Sequence, residues 1–329
     1  MWLDGLHLSA GSGLVVVAAM VAAALLMDRI LGEPSRFHPL VGFGRWASWV
    51  EKQCRKQIAS TTLPSPSPRR IRISGMVAWA LAVLPIALLA CLLLVWLFYL
   101  SPWLWLAANV VVLYLTIGGN SLVFHASEIY HPLKKGDLTL AREKIGLIVS
   151  RETTTMDAGQ ITSAAVESVL ENGNDAVFGA LFWFVVAGAP GALIFRMANT
   201  LDAMWGYKNE RYYDFGFAAA KLDDLLGWLP ARLTAVTYGI QGNLQSAMKC
   251  WKEQAPLCSS PNGGVVMCAG AGALNTSIGG PAIYHGKRHD KIYMGCGEFA
   301  DYQVIPQANR LVNHGAWIWV LVLLLIGLG

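Results

Sequence analysis

Carboxylates crowd two stretches of an otherwise apolar chain, and five of them stand out. Glu171 and Asp175 close one stretch; Asp202, Asp223 and Asp224 lie in the other, between Asn199 and Arg232. Glu167, Glu171 and Asp175 follow at i, i+4 and i+8, so on a helix they stack on one face. Three like charges in a column destabilise an isolated helix unless a cation or a basic group lies among them. The column is either a site for a positive group or a solvated acidic stripe, and spacing leaves both open. Asn172 and Asn199 set amides beside the acids. Tyr207, Lys208, Arg211 and Tyr212 follow in a run that alternates charged, amide and aromatic side chains. Arg232 sits in an apolar run, where a charge is costly unless paired. One of the same acids is an equally good structural partner for it.

Between the clusters, residues 177–194 are apolar but broken at Gly188-Ala189-Pro190-Gly191. A continuous span would leave Glu171 and Asp175 on one side of a membrane and Asn199 and Asp202 on the other. Two half-helices turning at Pro190 would put all of them on one side. Non-helical backbone at that depth is tolerated inside protein or beside a cavity. The re-entrant arrangement is the expected one.

Composition sets the context. Of 329 residues, 55% are hydrophobic and 14% charged, against about 25% charged in an ordinary soluble domain. Mean hydropathy is +0.45. A net charge of +4, unevenly placed, suits membrane topology and argues against a nucleic-acid partner. The six cysteines show no CxxC and read as reduced thiols, with no zinc site or disulfide framework. The expected fold class is an all-α integral membrane protein in one domain, 1–329. About four full transmembrane helices are expected, near 8–27, 75–100, 102–118 and 311–328. Broken or partial spans near 177–196 and 225–241 would be re-entrant or short buried helices, joined by cytoplasmic helical loops.

Residues 1–11 contain Asp4 and no Lys or Arg, so the first helix reads as an anchor and not as a cleaved signal. Basic residues follow it, and the positive-inside rule then places residues 28–72 in the cytoplasm and both termini in the periplasm. A Pro/Ser linker covers 63–68. Trp46 and Trp49 lie on an amphipathic run expected to rest at the interface. Residues 153–157 form an N-cap region for a helix over 158–172. Ser260-Pro261-Asn262-Gly263-Gly264 is a loop able to offer N–H groups to phosphate, though no GK[ST] follows and helix packing is the competing reading. His285 and His289 bracket Gly286 and read as loop residues more than as a metal pair.

The long motifs narrow this further. ENxxD at Glu171-Asn172 and Asp175, NTLDAMWGYKNERYYDFG at 199–216, LDDLLGWLPARLTA at 222–235 and SPNGG with AGAL at 260–274 resemble the CobD/CbiB family. DRILGEPSRFHPLVGFGR at 28–45 is similar to that family's N-terminal signature. The resemblance covers nearly the whole chain, in order. A topologically similar regulatory branch, the AmpE-like membrane proteins, is the alternative class, as is a non-catalytic corrinoid-binding protein.

The resemblance implies an adenosylcobinamide-phosphate synthase of cobalamin biosynthesis in the bacterial inner membrane. Such an enzyme joins a carboxylate of adenosylcobyric acid to (R)-1-amino-2-propanol O-phosphate, or to ethanolamine phosphate, as an amide. Amide formation from a free carboxylate is uphill in water, which implies ATP and Mg²⁺ and an acyl phosphate. Clustered carboxylates would hold the ion, Arg and Lys the phosphates. On this reading Glu171, Asp175, Asp202, Asp223 and Asp224 carry the chemistry, with Glu171, Asp175, Asp202 and Asp224 on the metal. Asn172 and Asn199 orient them. Lys208, Arg211, Arg232, Ser260 and Asn262 bind phosphate, Tyr207 and Tyr212 pack on corrin or nucleotide, and His38 of the HPLVG signature binds substrate. Glu167 is expected to be structural. The lipid bilayer is the other partner, with further membrane enzymes of late cobalamin assembly as candidates.

Overall fold

The computed structural model describes residues 9–34, 38–59, 67–284 and 286–329. Residues 1–8, most of the Pro/Ser linker and His285 lie outside them. Helices α1 (Ala10–Leu31) and α12 (Val304–Leu328) pack antiparallel. Gly11 and Gly327 meet so closely that a Cβ on Gly11 would stand 2.6 Å from the Gly327 carbonyl oxygen. Helices α3 (Pro68–Leu100) and α4 (Pro102–Thr116) form the tight hairpin read from Ser101-Pro102. At the other end of this bundle, the Tyr114 hydroxyl donates to the Gly32 carbonyl at 2.6 Å. Asp28 Oδ2 there accepts the Asn120 N–H at 2.9 Å. Ser101 therefore lies at the end that holds Gly11 and Gly327, and Asp28, Gly32 and Asn120 at the opposite one.

The bundle turns an apolar face outward. Leu84, Leu88, Leu89, Leu92 and Trp96 of α3 are more than half exposed, as are Leu321, Leu325 and Ile326 of α12. A contiguous surface of that kind is stable against lipid and not against water. Among the described residues, five helices are long and apolar enough to cross a membrane: 11–31, 68–100, 102–135, 158–205 and 304–328. That is one more than expected, and the second and fifth begin seven residues earlier than the hydropathy alone implied. The additional one, 158–205, does not run straight.

It opens as α7 (Ala158–Gly173) on a capping box. Asp157 Oδ1 accepts the Gln160 N–H at 2.8 Å, and Gln160 Oε1 accepts the Asp157 N–H at 3.0 Å. The small apolar face of Ile161, Ala164, Ala165 and Val169 is buried. A π-helical turn (Asn174–Phe178) then leads into α8 (Gly179–Trp205). Helical geometry fails inside α8 at Ala187 and at Gly188, where φ is 67° and ψ is −162°. Only glycine enters that region without strain. The turn thus falls just before Pro190, which opens the second half-helix, where its missing N–H is no loss. Asn109 of α4 accepts the Ala189 N–H at 3.3 Å and caps the same terminus.

Contacts across the break show that the chain doubles back. Arg196 Nη1 reaches the Asp175 carbonyl at 3.4 Å, and the Phe195 ring lies where any side chain on Gly179 would stand. In a straight helix residues 175 and 196 would be about 31 Å apart at 1.5 Å per residue. Each arm is roughly 15 Å long, half of a ~30 Å hydrocarbon core. The expected re-entrant pair is present, and both acidic clusters share its open end.

Helix α9 (Phe217–Ile240) packs along α8, with Trp183 Nε1 donating to the Leu226 carbonyl at 2.9 Å. Helices α10 (Leu244–Gln254) and α11 (Gly263–Ala273) follow. The glycine-rich stretch beyond them is more ordered than its composition implied. Strand β1 (Thr276–Gly279) pairs antiparallel with β4 (Tyr293–Gly295) and parallel with β5 (Glu298–Phe299). β2 (Ala282–Tyr284) pairs antiparallel with β3 (Lys287–His289). Strands of two to four residues are too short to show an alternation in sequence. Ser163 of α7 anchors them, accepting the Gly279 N–H at 2.6 Å.

Replacing Gly188 by Ala should destabilise the hairpin by about 1–3 kcal/mol, read as a lower midpoint in thermal melts of the detergent-solubilised protein. Cysteines placed by Ser101→Cys and Asn209→Cys in a cysteine-free background should label from opposite faces of sealed vesicles. Labelling of both from one face would refute the topology.

Candidate functional site

The open end of the hairpin assembles the acids from three segments. Asp175 of the π-turn accepts from Asn174 Nδ2 at 2.8 Å and is also bonded by the Asn199 side chain. Asn199 in turn bonds Asp223, so one amide bridges two carboxylates from different helices. Asp202 lies one turn beyond Asn199, within electrostatic range of both Asp175 and Asp224. Burial pushes the Asp223 carboxyl up to about 8, with Asp175 and Asp202 adding to the effect. One of its oxygens is buried without a partner. Glu171 points at the start of α11, where a Cβ on Gly263 would stand 2.5 Å from its Oε1.

Two carboxylates of the cluster reach a cavity of about 910 Å³. Asp202 and Asp224 line it directly, together with Tyr207, Lys208, Tyr212, Arg232 and Ser260. Seven of the residues singled out from sequence thus meet at one surface. Tyr213, Phe217 and Trp251, which were not among the candidate site residues, add aromatic walls.

The remaining candidates take other places. Arg211 is held by Glu51 of α2 (Pro39–Ala59), with Nη2 2.9 Å and Nε 3.2 Å from Glu51 Oε1. Tyr212 Oη donates to the other Glu51 oxygen at 3.3 Å, and Arg55 Nη2 donates to the Arg211 carbonyl at 2.7 Å. Arg211 therefore ties the 206–216 segment to α2 and is not a wall of the cavity. Arg232 lines the cavity but donates to the Trp228 carbonyl at 2.9 Å, to Asn262 Oδ1 at 2.6 Å and to the Pro261 carbonyl at 3.1 Å. Asn262 Nδ2 donates to the Asp224 carbonyl at 2.8 Å, in space left open by Gly227. The pair fastens the 260–264 loop to α9. Two N–H groups of that loop are already used: Gly263 donates to Ser260 Oγ at 2.9 Å and Gly264 to the Ser260 carbonyl at 3.1 Å.

Asn172 faces away from the acids, its amide donating to Ser168 of its own helix. His38 Nδ1 accepts the Leu40 N–H at 3.2 Å at the start of α2, and no described contact brings it to the acids. Glu167 is clamped by Arg151 at 2.8 and 3.3 Å and by Ser163 at 3.1 Å. Among the described residues, no three His, Cys, Asp or Glu side chains converge as a closed metal cage. The four acids named as metal ligands do not make one. The donors are nonetheless hard oxygens, a set that fits Mg²⁺, and Asp223 beside them carries an orphaned carboxylate oxygen. That ion is usually held by one or two carboxylates with the rest of its shell from substrate phosphate and water.

Sequence reasoning passed over Arg196, which is buried beside Asp175 and Glu33. Its signal was there to be read: an arginine inside an apolar run.

No solved structure matches the fold. The family model described as "CobD/Cbib protein" matches residues 21–312. The chain is 50% identical over 303 residues to a cobalamin biosynthesis protein CobD of Chromobacterium violaceum, covering 92% of this chain and 94% of the relative. It is 49% identical over 307 residues to the CobD protein of Stutzerimonas stutzeri, covering 93% and 97%. To a cobalamin biosynthesis protein CbiB of Salmonella typhimurium it is 34% identical over 279 residues, covering 83% and 85%. With its acids gathered at the open end of a buried hairpin and these relatives along nearly its whole length, the chain belongs to the CobD/CbiB family.

Proposed function

We propose that the protein acts in cobalamin biosynthesis as an amide-forming ligase. It would join a carboxylate of adenosylcobyric acid to the amine of (R)-1-amino-2-propanol O-phosphate or ethanolamine phosphate. The observation that carries this reading is the gathering of Asp175, Asp202, Asp223 and Asp224 behind one large cavity. A free carboxylate must first be activated, and ATP would supply the phosphoryl group as an acyl phosphate. Bound Mg²⁺, held by Asp175, Asp202 or Asp224 with substrate oxygens, would neutralise phosphate charge.

The chain's own residues divide the remaining work. Lys208 at the rim supplies a mobile positive charge for phosphate. Tyr207, Tyr213, Phe217 and Trp251 offer flat apolar surface for a macrocycle. The amine attacks the acyl carbon only when neutral, and its proton leaves as the C–N bond forms and the C–O bond to phosphate breaks. A carboxylate of the cluster would accept that proton, and Asp223, held near 8 by burial and its acidic neighbours, is the best matched. Arg29, Arg45 and Arg72 lie on elements at the end of the bundle that holds the site, which the positive-inside rule assigns to the cytoplasm of a bacterial inner membrane.

Asp175→Asn and Asp202→Asn should each lower conversion of adenosylcobyric acid by at least about 100-fold, a typical contribution of a group acting on the reacting centre. Wild-type rates from either variant, measured by chromatography of the corrinoid product, would sink the assignment. A wild type that binds corrinoid yet forms no amide with ATP and Mg²⁺ would point to a non-catalytic member. A third outcome concerns stability. A folded Asp223 near 8, against an ordinary value of 3.8, takes up a proton on folding. Stability should therefore fall as pH rises from about 4 to about 8. Asp223→Asn should flatten that fall and raise the melting temperature of the ligand-free protein at pH 8, as relieved strain in functional clusters commonly does.

A further inference from the structure

A second cavity lies on the far side of the π-turn from the large one. It measures about 270 Å³ and is lined by Glu33, Ser121, His125, Asn172 and Arg196, with Ser168 and Ala176 among the small residues of its wall. Arg196 is the unusual member. Its guanidinium makes one described hydrogen bond, the 3.4 Å contact to the Asp175 carbonyl. Its Nε is fully buried and has no partner. Glu33 faces the same space: a Cβ on Gly118 would stand 2.8 Å from Glu33 Oε1 and 3.6 Å from Arg196 Nη2. Among the described residues no ion pair closes between these two charges. A buried arginine with an orphaned donor and an acceptor-only carboxylate beside it form a two-signed pocket without its filling.

We infer that this cavity binds a compact zwitterion, a phosphate monoester that also carries a primary ammonium group. The arginine fork, with the Ser121 hydroxyl and His125, matches a phosphate; Glu33 matches the ammonium. At the ~30 Å³ that one water occupies in the liquid, the space holds roughly nine non-hydrogen atoms. That suits a three-carbon amino-alcohol phosphate and is too little to enclose a nucleotide or a corrinoid.

Location supports the same assignment. Arg196, Asn199 and Asp202 recur on one arm of the hairpin, so a single row of side chains runs from the small cavity to the large one. Arg196 lines the first, Asn199 bonds Asp175 and Asp223, and Asp202 lines the second. An amine donor held at Glu33 and Arg196 would approach an activated carboxylate across the acid cluster. This rests on the amide-forming reading above and assigns its amine substrate a site of its own.

The test is calorimetry on the full-length protein in nanodiscs with three probes. These are 1-amino-2-propanol O-phosphate, 1,2-propanediol phosphate, which lacks the amine, and 1-amino-2-propanol, which lacks the phosphate. The wild type should bind the first at least tenfold more tightly than either of the others. Glu33→Gln should erase the preference over propanediol phosphate, and Ser121→Val should weaken both phosphate-bearing probes severalfold. Both variants should bind adenosylcobyric acid like the wild type, which checks the fold without depending on an Arg196 replacement. Unchanged affinity and unchanged preference in both variants would overturn the proposal. Wild-type discrimination without amide product would leave the site standing and remove the ligase reading. Amide formation with a KM for the amino phosphate insensitive to Glu33→Gln would do the reverse.

Discussion

The site depends on one reversal of the backbone. At Gly188 the chain takes a left-handed conformation, and the helix that began at Ala158 folds back along itself. Without that turn Asp175 and Asp202 would sit at opposite ends of a rod. With it, Asn199 reaches Asp175 and Asp223 together. The turn is secured from outside by Asn109 on α4 and from within by the close fit of Phe195 over Gly179. Broken helices are tolerated at membrane depth only where protein or a cavity receives the freed backbone groups. Here α4 receives one of them directly.

The reversal concentrates negative charge in a partly buried place, which is unfavourable for the empty protein. Structural acids elsewhere in the chain are treated differently. Glu167 is clamped by Arg151, and Glu51 by Arg55 and Arg211. Asp202 and Asp223 have no described salt-bridge partner, and an oxygen of Asp223 lacks any hydrogen bond. Asp224 beside them meets, among the described residues, only the exposed Lys221, at 3.5 Å, so most of the cluster's charge lacks the close partners that the structural acids have. The same contrast marks Arg196, the buried base whose Nε has no partner.

Around this centre, a shell of contacts holds the connecting segments in place. The Glu51, Arg55, Arg211 and Tyr212 network pins the 206–216 segment to the amphipathic helix α2, and so sets Tyr207 and Lys208 over the cavity. Arg232 and Asn262 join α9 to the 260–264 loop. These residues carry charge for positioning, and charge type alone does not separate that task from binding a phosphate. Arg211 shows the difficulty: in sequence it looks the same as Lys208, but it spends its guanidinium on Glu51.

Much was legible in the sequence. Apolar length and basic asymmetry determined an all-α membrane architecture, because hydrocarbon admits only backbones that satisfy their own hydrogen bonds. The GAPG break determined that a span would fail there, since glycine and proline weaken a helix for local reasons. Dense acids on both sides of that break marked which segments would bring carboxylates together if the chain doubled back. Tertiary structure decided the rest. It decided that the turn falls at Gly188, that Arg211 and Asn172 face away from the acids, and that the glycine-rich tail folds into short strands. It also decided that Arg196 and Glu33, 163 positions apart, share one small cavity. Spacing along a chain fixes which side chains share a helix face. Which faces meet across a fold is set by packing between distant segments, and no local pattern records it.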